Sequence, residues 1–137
     1  MKVSIVILTW NRCDCLIETL DSLSKLDAEF IVVNNGSTDN TATAIEKYFP
    51  HCKLVSLPEN IGTVARNNGI TEATGDIIIT LDDDVRSLTQ SGIQEISNSF
   101  ENSKLGALTF QVLCPKTGKS RDWVHRQPIA AANKTFP

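Results

Sequence analysis

An α/β fold with a mostly parallel sheet flanked by helices is predicted by this sequence on three observations. Two runs rich in β-branched residues, Val3–Thr9 and Asp76–Leu81, read as strands, the first with the composition of one buried on both faces. Strand-like and helix-like segments alternate along the chain as βαβαβαβ and then αβ, the order that yields a parallel sheet covered by helices. Finally, the polar clusters TWNR, NNGSTD and DDD follow the first, second and fourth expected strands. An open α/β sheet gathers its ligands at those carboxyl ends.

Each element has its own justification. Val3–Thr9 is the first strand and stops at TWNR. Leu16, Ile17, Leu20 and Leu23 then recur at helical spacing and predict a helix from about Asp14 to Leu26. Phe30–Val33 reads as the second strand. NNGSTDNT combines turn formers with helix-capping residues, so a helix through about Tyr48 follows, with Pro50 ending it. Leu54–Leu57 is a short third strand, Pro58–Asn60 a loop, and Ile61–Ala73 a third helix closed by Gly75. Asp76–Leu81 is the fourth strand, ended by three aspartates. Ser91–Phe100 suits a further helix and Leu105–Leu113 a further strand.

With 137 residues the chain has room for one domain and one core. Its 41% hydrophobic and 21% charged residues, free of repeats and low-complexity tracts, exclude disorder, collagen and coiled coil. The net charge of −3 is too acidic for a dedicated nucleic-acid binder. Charge is uneven, however: residues 1–115 hold 8 Lys/Arg against 15 Asp/Glu, whereas residues 116–137 hold 5 against 1. The basic tail could meet an anionic partner or simply be solvated. The first apolar run is too short for a transmembrane span or a signal peptide, so a cytoplasmic location is expected. Cys13, Cys15, Cys52 and Cys114 have neither zinc-like spacing nor the density of a disulfide scaffold, which favours reduced thiols.

The clusters carry the candidate chemistry. Asp82, Asp83 and Asp84 repel one another unless solvent, protonation or a cation intervenes. Mg2+ or Mn2+ suits such a group, with substrate phosphates completing its shell. A solvated acidic turn capping the next helix is the plainer alternative. Thr9, Asn11, Asn34 and Asn35 can hydrogen-bond a base or ribose. Trp10 can stack on a base or pack beside its strand. Arg66 can fork onto a diphosphate or serve as a surface ion-pair partner. No GxGxxG or P-loop pattern occurs, and His51 and His125 stand beside no evident nucleophile, so dinucleotide binding and a hydrolytic triad lack support. Neither a haloacid-dehalogenase phosphatase nor a response-regulator receiver fits: Arg86 stands where the first wants Thr or Val, and TWNR stands where the second wants acids. A sugar nucleotidyltransferase would begin with a Gly-rich loop.

Taken together, VSIVILTWNR, FIVVNNGSTDNT, ENIGTVARNNGI and ATGDIIITLDDDV resemble successive blocks of the family 2 glycosyltransferases, in the same order, over about residues 2–113. The resemblance implies the GT-A fold, Rossmann-like and here truncated, a nucleotide-diphospho-sugar donor (UDP-, dTDP- or GDP-sugar) and a divalent metal, Mn2+ or Mg2+. It sets Thr9, Trp10 and Asn11 by the base and Arg66 by the donor. Asp82 and Asp84 become the ends of a DxD motif, with Asp84 the direct metal ligand and Asp82 and Asp83 facing ribose or sugar. The implied reaction is inverting transfer of a sugar to a hydroxyl on a saccharide or lipid-linked acceptor. A lipid-linked acceptor would bring the chain to the inner face of the membrane. Residues 1–115 would form the nucleotide-sugar-binding domain, and residues 116–137 a basic tail or the start of an acceptor-binding half.

Two departures from the pattern stand out. Asn34 and Asn35 occupy a block where relatives commonly carry Asp, keeping a carbonyl acceptor but losing charge. Relatives also continue through an acceptor half that holds a general base. Asp122 is the one acid in residues 116–137 and matches no family motif, so no catalytic residue is assigned. A nucleotide-sugar-binding module without transfer activity is the alternative function.

Overall fold

The computed structural model describes residues 1–102 and 104–109. Among them, four strands form one parallel sheet: β1 (Val3–Thr9), β2 (Glu29–Asn34), β3 (Lys53–Ser56) and β4 (Ile77–Asp82), in the order β3-β2-β1-β4. The helices are α1 (Cys13–Leu23), α2 (Thr41–Tyr48), α3 (Arg66–Glu72) and α4 (Gln90–Ser99), and a 3-10 turn at Gly62–Ala65 leads into α3. This is the Rossmann-like α/β architecture that the alternation of elements predicts. By compactness the chain divides into residues 1–97 and 98–137, and the whole sheet lies in the first unit. No helix among the described residues is long and apolar enough to cross a membrane.

β1 and β2 are buried along almost their whole length because both faces are covered. On one face Val6, Ile31 and Val33 form a cluster with Ala65, edged by Leu8, Val55 and Leu57. α3 seats there through Gly69, where a Cβ would come within 2.5 Å of Val6 Cγ1 and 2.6 Å of Val33 Cγ2. Strand alternation turns Ile5, Ile7, Phe30 and Val32 to the opposite face, and all four are buried. α1 turns Leu16, Thr19, Leu20 and Leu23 inward; of the expected stripe Ile17 is only half-buried, and Thr19 takes its place in the core. At the amino end of the sheet, Glu29 accepts hydrogen bonds from Ser4 Oγ (2.5 Å), Thr74 N (2.9 Å) and Thr74 Oγ1 (3.0 Å). These bonds hold the Glu29 carboxyl below its ordinary range, with Ser4 the largest cause.

Some boundaries differ from expectation. α1 ends at Leu23 rather than Leu26, because Leu26 N turns back to Leu23 O at 3.0 Å. The single helix expected over 61–73 divides into the 3-10 turn and α3, since Gly62 has φ +73° and the loop before it is held from outside, as described below. β4 runs on to Asp82. The strand expected at 105–113 does not form over residues 105–109, and residues 110–113 lie outside the described residues. So do the expected boundary at residue 115, the basic tail and Cys114.

Candidate functional site

The chain leaves β1, builds β2 and β3 to one side, then returns to place β4 on the other side of β1. That reversal makes the carboxyl ends of β1 and β4 the topological switch point, where open α/β sheets bind ligands. In the parallel register Leu8 pairs with Asp82 and Thr9 with Asn34, so TWNR, the NNGSTD turn and the aspartates meet at one rim.

The three aspartates do not act alike. β4 ends at Asp82 and the chain turns at once, Val85 N–H reaching back to Asp82 O at 3.3 Å; within that turn Asp82 and Asp84 face solvent while Asp83 points inward. Their side chains are 69%, 55% and 5% exposed, in the order Asp82, Asp84, Asp83. Asp83 Oδ2 accepts from Thr9 Oγ1 at 2.8 Å, tying the end of β1 to the acidic loop. Its Oδ1 accepts from Arg12 Nη1 at 2.6 Å, and its main-chain carbonyl accepts from Thr19 Oγ1 at 2.6 Å. Arg12 Nη2 lies 3.4 Å from Asp84 Oδ2. Asp83, and to a lesser degree Cys15 and Asp84, raise the Arg12 guanidinium above its ordinary pKa. Asp82 pairs with Arg66 Nη2 from the start of α3. Arg66 Nε is buried and has no hydrogen-bond partner among the described residues.

The rest of the rim is a knot of loops. Trp10 is 50% exposed at the end of β1. Asn11, in the left-handed region at φ +52°, accepts from Thr38 N at 2.7 Å, and its own N–H donates to Ser37 Oγ at 3.0 Å. Asp39 accepts from Cys13 N at 3.2 Å and from Thr41 N at 3.0 Å. Burial alone would raise the Asp39 pKa, but these bonds and one from Thr41 Oγ1 outweigh it and lower the value. An open groove of about 460 Å3 lies between residues 11–15 and Asp39 and Asn40.

Asn34 and Asn35 are buried and locally bonded. Asn34 Oδ1 accepts from Ser37 N at 3.1 Å. Asn35 Nδ2 donates to Asn60 Oδ1 (2.9 Å) and Gly62 O (3.1 Å), while its Oδ1 accepts from Ile61 N (3.0 Å). This amide therefore clamps the loop before α3. Gly36 completes the fit: its φ is +70°, and a Cβ there would stand 2.4 Å from the Glu59 carbonyl carbon, a space no side chain can enter.

Of the residues singled out in the sequence, Thr9, Asp82, Asp83, Asp84 and Arg66 come together at the switch point, with Trp10 and Asn11 on the adjoining loop. Asn34 and Asn35 lie beneath the rim with their amides engaged. Sequence reasoning missed Arg12, Cys15, Thr19, Glu18 and Arg86, the α1 and loop residues around the aspartates. Their one signal was the spacing of 15 and 19 on a single helical face. Among the described residues no group of three or more His, Cys, Asp or Glu is placed to hold a metal ion. Among the described residues Cys13, Cys15 and Cys52 are in no disulfide.

The model of glycosyl transferase family 2 matches residues 4–136. The chain is 39% identical over 90 residues to the uncharacterized glycosyltransferase YwdF of Bacillus subtilis, covering 61% of this chain and 33% of that protein. It is 32% identical over 113 residues to the poly-beta-1,6-N-acetyl-D-glucosamine synthase of Staphylococcus epidermidis, covering 78% and 27%. The chain thus spans about a third of the length of such curated relatives. In fold it is similar to the mannosyltransferase PcManGT from Pyrobaculum calidifontis, solved with GDP-Man and Mn2+, at a TM-score of 0.72 and 24% identity over 85% of this chain and 36% of that one. It is also similar to S. aureus TarS 1-349, at a TM-score of 0.63 and 28% identity over 74% of this chain and 32% of that one. The fold is accordingly GT-A-like and truncated, and the chain belongs to glycosyl transferase family 2.

Proposed function

We propose that this chain is the donor-binding half of a glycosyltransferase that takes a sugar from a nucleotide-diphospho-sugar to a hydroxyl acceptor with the help of a divalent cation. The observation that carries the reading is the division of labour among the aspartates: Asp82 and Asp84 face outward at the switch point while Asp83 is locked below them. Two outward carboxylates are too few to cage a cation. They match Mg2+ or Mn2+ that is held by one or two carboxylates and completed by substrate phosphates. Asp84, drawn among the described residues by one guanidinium nitrogen at 3.4 Å, is the freer ligand. When bound, such a cation would offset the charge of the departing nucleoside diphosphate. Arg66 supplies a second positive charge beside Asp82 and carries an unused Nε–H for an oxyanion when its side chain turns to a ligand. Trp10 offers an exposed face for a base, and Thr9 braces the strand ends beneath it. The solved relative holding GDP-Man and Mn2+ supports this choice of ligand class.

Calorimetric titration with UDP, dTDP, GDP and CDP, each with and without Mn2+, tests the reading. Mn2+-dependent binding of one nucleotide, lost in Asp84→Ala, is expected. A chain that binds none of them refutes it. One observation favours a second reading, a binding module without transfer: Asn34 and Asn35 bring no charge to the rim and are consumed in loop bonds. Donor hydrolysis or transfer above background by the chain rejects that second reading.

A further inference from the structure

The acidic loop is gripped by one helix. Cys15 and Thr19, four apart, share one face of α1, and Arg12 stands just before it at the N-cap. All three reach Asp83: Arg12 through the carboxylate at 2.6 Å, and Thr19 Oγ1 and Cys15 Sγ through the main-chain carbonyl at 2.6 Å and 3.4 Å. Glu18 pairs with Arg86 at 2.6 Å and takes hold of the loop again just beyond Asp84. Between the two grips, Asp84 is touched by the second nitrogen of the same Arg12 guanidinium.

A buried carboxylate needs a charged partner, and the other side-chain donor to Asp83, Thr9, is neutral. Without Arg12, the least unfavourable response is for Asp83 to turn out to water. Asp83 and Asp84 are neighbours in a tight turn closed by Val85 N–H to Asp82 O at 3.3 Å, one side chain 5% and the other 55% exposed, so a rotation that brings Asp83 out to water carries Asp84 from its present place. We infer that Arg12 is a positioning residue: by holding Asp83 inward it sets Asp84 outward, at the place where a hard divalent cation would meet it. The identity of what Asp84 meets rests on the function proposed above, whereas the inward and outward setting belongs to the protein alone.

Arg12→Gln and Arg12→Lys in the whole chain test this with two readouts. Amide hydrogen exchange of residues 83–86, without any ligand, is expected to quicken in Arg12→Gln and to be largely restored in Arg12→Lys. Mn2+ affinity in the presence of UDP, dTDP, GDP or CDP, read by the electron-spin signal of the free ion, is expected to fall about 10–100-fold in Arg12→Gln, the usual effect of losing a group that orients a metal ligand. Adding Asp83→Asn to Arg12→Gln removes the charge that needed a partner, so protection should return in the double variant, which also serves if the single one does not fold. Unchanged exchange at 83–86 in folded Arg12→Gln, or no recovery in the double variant, overturns the inference. Faster exchange in Arg12→Gln together with no Mn2+ binding by the wild type, even with each of the four nucleotides present, supports the positioning role and refutes the metal reading instead.

Discussion

Replacing Gly69 by Ala should destabilise the protein although alanine is the better helix former. Gly69 lies inside α3 against the β1–β2 face, and the new Cβ would meet Val6 Cγ1 at 2.5 Å and Val33 Cγ2 at 2.6 Å. Both neighbours are β-branched, stiff about χ1 and fully buried, so neither can swing aside. Overpacking of this kind costs about 1–3 kcal/mol, and two simultaneous collisions point to the upper end. The gain in helix propensity returns about 1 kcal/mol, leaving a net loss of about 2 kcal/mol. For a domain of this size, that lowers Tm by roughly 10 °C. Urea denaturation gives the same quantity as a shift in midpoint at constant slope. In the Gly69→Ala/Val33→Ala pair the collision with Val33 is relieved while that with Val6 stays, so the double variant should be about 1 kcal/mol more stable than the two single losses predict. Arg66 opens the same short helix, so a displaced α3 also disturbs the Arg66–Asp82 pair. A Gly69→Ala protein as stable as the wild type, or more so, would refute the reasoning that α3 sits on the sheet through this contact.

Other outcomes follow from the bonds already described. Glu29 titrates below its ordinary 4.5 in the folded protein, so its stabilisation is complete above that value and is lost as pH falls through the folded pKa. The stability difference between wild type and Glu29→Gln should therefore shrink as a denaturation series passes from about pH 6 to below 4.5. Asn35→Asp should cost about 1–3 kcal/mol in the same assay, because the new carboxylate oxygen faces Asn60 Oδ1 and Gly62 O, both acceptors. Asn60 cannot turn its amide to help without giving up Gly62 N, which its Oδ1 holds at 2.8 Å. Burial pushes the Cys52 thiol up to about 11, so a thiol reagent near neutral pH should label it only on unfolding, as mass mapping of labelled cysteines would show.

Local patterns carried most of the fold into the sequence. β1 was legible to the residue because an apolar β-branched run stops at a polar cluster, and β4 to within one residue at each end, since Asp82 still pairs with Leu8 in the sheet. Helix ends were less legible, since they depend on partners far along the chain. The first turn of the expected third helix is 3-10 where Asn35, some 26 residues earlier, holds Ile61 N. The site divides in the same way. Its place was readable from strand ends, and its acidic residues from composition. Which aspartate turns inward was not, because the answer depends on Arg12, 71 residues away in sequence, and no local pattern pairs the two. The loop bonds of Asn34 and Asn35 were hidden for a related reason: an amide at a strand end shows its partners only when the facing loop is known.

Backbone NMR of the isotope-labelled chain, titrated with a nucleoside diphosphate and Mg2+, tests the central claim most directly, because it reports where the ligand lies. The account predicts that one of UDP, dTDP, GDP or CDP shifts Thr9–Arg12, Gly36–Thr38 and Asp82–Arg86. Lys2–Ser4 and Thr74–Asp76, at the opposite ends of β1 and β4, should stay unmoved. Shifts confined to that opposite end, or none with any of the four nucleotides, would contradict it.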